Sequence, residues 1–157
     1  MAKRMRAIYN SWLIVLMSFS AVALWYVLSV APPASYWFEA QTMAIPDAVV
    51  GEPIPIVVER EISRPIGGEW TVTIRKLQDG GWIQYCPAIE GRQDYNVNAI
   101  FPEPLLLEWW TNGECESLSP GTYIVTTIWT FYPPLIPNGR RTPPLVSNPF
   151  RVLESRE

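Results

Sequence analysis

"SLSPGTYIVTTIWTFY", Ser117 to Tyr132, decides the fold. Pro120-Gly121 is a turn dipeptide, and the residues after it alternate with period two. Tyr123, Val125, Thr127, Trp129 and Phe131 fall on one face, and Thr122, Ile124, Thr126, Ile128, Thr130 and Tyr132 on the other. β-Branched and aromatic side chains fit a pleated strand better than a helix. A strand apolar or β-branched on both faces is expected at the centre of a sheet.

The segments upstream read the same way. In "EWTVTIRKL" Trp70, Val72 and Ile74 alternate with Glu69, Thr71, Thr73 and Arg75, the pattern of a half-buried strand. "IPIVVEREI" places Ile54, Ile56, Val58 and Ile62 on one face, and "PLLLEWW" places Leu105, Leu107 and Trp109 opposite Leu106, Glu108 and Trp110. Strand-like runs near 37–43, 46–50, 54–62, 69–77, 82–86, 95–101, 105–110, 122–132 and 144–153 number about seven to nine. Turn signals separate them at Gly67-Gly68, Asp79-Gly80-Gly81, Asn112-Gly113, Pro120-Gly121 and Asn138-Gly139. The last run is interrupted by Pro149, which predicts an edge position. Sixteen prolines and nine glycines spread along 157 residues suit short strands joined by turns.

The N-terminal part differs. "SWLIVLMSFSAVALWYVLSV", Ser11 to Val30, carries no charge, Pro or Gly. As a helix, Trp12 to Val30 would span roughly 28 Å, close to the ~30 Å hydrocarbon core of a bilayer. Tyr9 and Trp12 before it, and Tyr36 and Trp37 beyond it, are candidates for the membrane interface. Residues 11–31 are expected to be a transmembrane signal anchor, with 1–10 a basic cytoplasmic N-terminus, 32–38 a Pro-rich juxtamembrane linker and 39–157 an extracytoplasmic β-domain. That topology places the chain in the inner membrane as a single-pass protein. The competing reading is a cleaved signal peptide ending at the small-x-small "SVA" of Ser29 to Ala31. Pro32-Pro33, directly after that site, argue against cleavage.

Composition removes several functions. Histidine is absent, and with it the commonest general base, the usual zinc nitrogen ligand and the centre of a Ser-His-Asp relay. All fifteen acids lie after position 38, and from Ala31 onward nine basic residues face those fifteen, a net of −6. Nucleic acid is not an expected partner. Neither a calcium loop nor a Gly-rich phosphate loop is present, so no cofactor or metal is expected.

Cys86 and Cys115 fall in the part assigned outside the cytoplasm, and a disulfide between them is the default. Glu103, Glu108, Glu114 and Glu116 gather around Trp109 and Trp110. Paired carboxylates could serve a small acid-dependent hydrolase, but solvent-facing acids on a loop are the plainer reading. If Trp109 points inward, Trp110 points outward. Trp82, Trp110 and Tyr132, with Arg140 and Arg141 in the loop beyond, are the candidate partner contacts.

The start Leu118, Pro120, Gly121 and Tyr123 resembles the corner before the penultimate strand of immunoglobulin-like sandwiches, where a Tyr hydroxyl caps backbone groups. Cys115 precedes that Tyr, so the pairing of antibody domains is not implied. With the anchor and the strand pair from "VGEP" to "EWTVTIRK", Val50 to Lys76, the whole chain resembles single-pass, membrane-anchored immunoglobulin-like proteins of bacteria and their tailed phages. The resemblance implies a mainly β chain: an N-terminal transmembrane helix and one antiparallel sandwich. It implies a non-enzymatic module that is held to a lipid bilayer through residues 11–31 and binds an envelope protein. The alternative is a module for a cell-wall or capsule glycan, using exposed aromatics.

Overall fold

The computed structural model describes residues 2–30, 32–98, 100, 104–115, 117–133 and 139–155, with side chains from 11 to 27 in the first helix. Helix α1 (Ala2–Val30) leads through a 3₁₀ turn (Ala34–Tyr36) into ten strands. These are β1 (Phe38–Ala44), β2 (Ala48–Val49), β3 (Val57–Ile62), β4 (Ile66–Gln78), β5 (Gly81–Gln84), β6 (Ile89–Tyr95), β7 (Gly121–Phe131), β8 (Arg140–Arg141), β9 (Leu145–Val146) and β10 (Phe150–Leu153). A helical turn, α2 (Leu107–Trp110), lies between β6 and β7. The chain is mainly β, antiparallel except where β10 pairs parallel with β2.

Two layers share the core. The larger sheet runs β2-β10-β7-β4-β5, and β6 adds to β4 while β8 and β9 add to β7. The smaller is the antiparallel pair β1-β3, extended where Ile56 N–H donates to Leu105 O and Leu107 N–H to Ile54 O, each at 2.8 Å. Phe38 of β1 reaches across to the rings of Trp129, Phe131 and Tyr95, with centroids 5.0 to 5.3 Å apart. As the alternation predicts, Tyr123, Val125, Trp129 and Phe131 are buried on the inner face of β7, which is central, with β4 on one edge and β8 to β10 on the other.

Two of the large sheet's strands are broken. β5 and β6 run consecutively along one edge of β4, interrupted at Tyr85–Ala88. β8, β9 and β10 run consecutively along β7, interrupted at Pro143-Pro144 and at Asn148-Pro149. Side chains mend the second ladder. Trp129 N–H donates to Thr142 Oγ1 at 3.1 Å and Val125 N–H to Ser147 Oγ at 3.0 Å. The Asn148 amide takes the place of a strand, accepting from Ile45 N–H and donating to Ile45 O, both at 2.8 Å. Pro149 does break the run, but β10 is no edge: β7 and β2 flank it, and Asp47 clamps the Arg151 amide and guanidinium at 2.7 to 3.0 Å.

Several expected elements fall differently. No strand covers 95–101, where 101–103 and 99 lie outside the described residues; the strand there is β6, ending at Tyr95. Its inward positions Gly91 and Gln93 carry no apolar signal, and Gly91 is bare because the Trp70 ring lies over it. Gly67-Gly68 is not a turn but part of β4, where a β-carbon at 68 would stand 2.6 Å from the Phe131 ring. Aromatic rings here fill the space that cross-strand glycines leave. The run 105–110 forms the turn α2 instead of a strand, because Trp110 N–H donates back to Leu106 O, Thr111 Oγ1 to Leu107 O, and Asn112 and Gly113 close the turn at φ 50° and 71°. Asn138 lies outside the described residues.

Among the described residues no helix is long and apolar enough to cross a membrane, so the transmembrane anchor expected over 11–31 is not supported there. The stretch with described side chains, Ser11 to Val27, would extend only about 26 Å. Trp37, expected at a membrane interface, is 8% exposed and joins the core. Tyr36 is exposed with Arg64 stacked 4.2 Å from its ring centre, Trp12 is exposed, and the Tyr9 side chain lies outside the described residues.

Gly91→Val forces a branched side chain into the volume of the Trp70 ring and should lower stability by about 2 kcal/mol or more. Equilibrium urea unfolding followed by tryptophan fluorescence measures this as a lower midpoint at unchanged slope.

Candidate functional site

Tyr123 closes the turn that precedes β7. Tyr123 Oη donates to Ser119 O at 2.6 Å, four residues upstream. Lys76, in register with Tyr123 across β4 and β7, donates from Nζ to Ser119 Oγ at 2.7 Å and lies 5.5 to 5.6 Å from the Tyr123 and Tyr85 ring centres. Hydrogen bonds with the Ser119 hydroxyl and amide, aided by the Lys76 charge, hold the Tyr85 phenol below its ordinary pKa. A serine hydroxyl on a lysine amine is the pairing of Ser-Lys nucleophiles. Here the Ser119 amide is committed to Tyr85 Oη at 3.3 Å and Pro120 has none to offer. The Ser119 hydroxyl thus joins Lys76 Nζ, Tyr85 Oη and Tyr123 Oη in one hydrogen-bonded cluster.

The β4-β5 hairpin presents apolar side chains on the surface of the β-domain. Asp79 and Gly80 both take positive φ, 51° and 81°, the two-residue turn that matches the twist of the strands. Leu77 pairs with Trp82 and Lys76 with Ile83, and Leu77, Trp82, Ile83 and Tyr85 are all exposed. β5 ends the sheet order. It carries neither charge nor proline, whereas β6, further along the same edge, carries Glu90, Arg92 and Asp94. Charges of that kind protect an edge from pairing, and β5 has none.

Of the expected contact residues, Trp82 stands exposed at the hairpin and Tyr132 at the far end of β4, beside Glu69. Trp110 is the correction: it is 2% exposed, donating from Nε1 to Thr127 Oγ1 at 3.1 Å, while Trp109 is 40% exposed and stacks on Trp70. Period-two alternation does not hold across a helical turn, so the two tryptophans exchange the places a strand would give them. The three rings proposed for a glycan do not form a row: one is buried and the others sit ten residues apart along β4, roughly 33 Å. Tyr132 Oη donates to Glu69 Oε2 at 2.8 Å, which raises its pKa. Both border a polar hollow of about 390 Å³ with Glu90, Arg92 and Arg141.

Arg140 and Arg141 also line a larger cleft of about 600 Å³ that opens between the layers. Arg140 Nε donates to Pro32 O at 3.0 Å, tying this loop to the chain just beyond α1. Of the acids considered for hydrolysis, Glu108 lies in α2 and Glu114 is exposed beyond it, while Glu103 and Glu116 lie outside the described residues. Cys86 and Cys115 form the expected disulfide, joining the break between β5 and β6 to the loop after α2. Among the described residues no three His, Cys, Asp or Glu side chains gather as a metal site. Comparison of the chain with protein families, with curated proteins and with solved structures returns no match.

Tyr95, wedged between Phe38 and Phe131, has its phenol pushed up to about 12 by burial, partly offset by Arg60 over its ring. The unfolded chain releases this proton near pH 10 and the folded chain keeps it until about 12. Stability should therefore fall as pH rises through that window, by up to about 1.4 kcal/mol per unit. Urea unfolding at pH 9, 10 and 11 should show this alkaline loss in the parent chain and a smaller one in Tyr95→Phe.

Proposed function

We propose that the chain is a membrane-anchored, non-enzymatic binding module: α1 holds it to a bilayer, and one immunoglobulin-like sandwich outside the cytoplasm engages an envelope protein through the β4-β5 hairpin. The observation that carries this reading is the state of α1. From Ser11 to Val27 every residue is exposed, with Phe19 at 78%, and not one is charged. An uncovered apolar surface of that size calls for an apolar partner, and the uncharged run continues in the sequence to Ala31. Lys3, Arg4 and Arg6 before it favour a cytoplasmic N-terminus.

The immunoglobulin-like reading is supported by the order β10-β7-β4-β5, which has the succession G-F-C-C′ of such sandwiches, and by the tyrosine corner at the start of the F-like strand. The cystine is consistent with an oxidising compartment. The hairpin is the favoured contact because its rings and its unprotected edge lie together, whereas the glycan reading has lost its row of rings.

The full chain should remain in the pellet when membranes of an expressing bacterium are washed with alkaline carbonate. Leu16→Arg, at about 3 kcal/mol per mid-membrane arginine, should move a large fraction to the supernatant. Recovery of the parent chain in the wash would remove the anchor. A photo-cross-linking residue at Ile83 should give one discrete adduct in cells, lost on adding Trp82→Ala, while the same group at the exposed Glu59 of β3 should give none.

A further inference from the structure

We infer that β5 pairs antiparallel with β5 of a second copy of this chain, on a two-fold axis through Ile83. The inference rests on the hairpin contact proposed above and names its partner. β4 and β5 pair from Gln78 opposite Gly81 to Arg75 opposite Gln84, and Tyr85 N–H then donates to Ile74 O at 2.8 Å. Successive residues of such a ladder turn their backbone groups alternately toward and away from the neighbouring strand. Gly81, Ile83 and Tyr85 therefore address β4, while Trp82 and Gln84 direct their N–H and C=O groups outward. β5 ends the sheet order, and among the described residues no hydrogen bond meets those four groups.

This alternation fixes the register of a copy. With Ile83 opposite itself, Trp82 meets the second copy's Gln84 and Gln84 meets the second copy's Trp82, each as a hydrogen-bonded pair, so all four outward groups are used. An axis through Trp82 would set Gln84 against Gly80, which lies in the turn at φ 81°. An axis through Gln84 would set Trp82 against Cys86, which is buried in its disulfide. In the remaining register Tyr85 stands opposite the bare Gly81, as rings already meet glycines at Gly68 and Gly91.

Charge favours a copy as well. Residues 81–85 carry none, so two chains of net −6 beyond residue 30 can join here without setting like charges opposite one another. β6 paired with itself about Arg92 would oppose two arginines and set Glu90 against Asp94. Leu77, Trp82, Ile83 and Tyr85, all exposed in one copy, would be shielded together. The contact is small, of the transient class below about 1,200 Å².

The test uses the purified full chain in dodecyl maltoside, followed by sedimentation equilibrium across micromolar concentrations. The parent chain should show a monomer–dimer equilibrium. Ile83→Lys and Ile83→Glu, at a position 46% exposed in the single chain, should each weaken the dimer about tenfold or more by opposing like charges on the axis. Mixed in equal amounts, the two variants should associate again, a rescue given only by residues that face their own copies. Leu153→Lys, at a similarly exposed position of β10, should leave the dimer unchanged. A monomeric parent chain, a dimer indifferent to Ile83→Lys, or variants that stay apart when mixed would overturn the pairing. In cells the photo-adduct at Ile83 should have twice the mass of the chain. An adduct of another mass beside a monomeric parent chain defeats the second copy and leaves the hairpin contact standing, whereas a monomeric parent chain with no adduct removes both.

Discussion

The nine-residue ladder between β4 and β7, Gly68 to Lys76 against Phe131 to Tyr123, is the constraint on which the other elements depend. It aligns the two inner faces so that Trp70 stands beside Trp129 and Ile74 beside Val125, and it brings Lys76 over the corner tyrosine. A slip of one residue would turn every inward ring outward. The glycines lock the register further. Gly68 accommodates Phe131 and Gly91 accommodates Trp70, so the ladder can close only where a ring meets a bare backbone.

Around this pair the sheet is completed from broken pieces. Pro143, Pro144 and Pro149 cannot donate to a ladder, yet the edge of β7 keeps its partners through the hydroxyls of Thr142 and Ser147. Buried amides must be satisfied wherever the backbone departs, which explains why polar residues sit buried beside β7. The breaks also shape the surface. The Pro143-Pro144 break leaves the layers parted beside β1, where the cleft opens. The break between β5 and β6 is tied back by the Cys86–Cys115 bridge, so the apolar hairpin projects from a braced base.

Charge follows the same division. β6 carries Glu90, Arg92 and Asp94 along an edge that would otherwise invite pairing, and β5 carries none. At the opposite end of β4, two arginines gather beside the exit from α1.

Much of this was written locally in the chain. The period-two alternation of 69–75 and 122–132, the Asp79-Gly80 turn, the corner at Leu118 to Tyr123 and the pairing of two lone cysteines all follow from rules that act over a few residues. Local pattern does not determine a residue whose role depends on what lies across from it. Gly91 and Gln93 look like loop residues until the Trp70 ring is placed, and Gly67-Gly68 looks like a turn until Phe131 is. Leu105 to Trp110 is too short for its apolar pattern to separate a strand from a helical turn, and contacts with Ile54, Ile56 and Thr127 settled the matter. Trp110 thereby went inside, and Trp109 took the exposed place. Local alternation and turn chemistry thus determined the strands, the central position of β7 and the disulfide. Only the packed tertiary structure decided which aromatics remain on the surface and that Arg140 meets Pro32, because those depend on contacts between residues 40 to 108 positions apart.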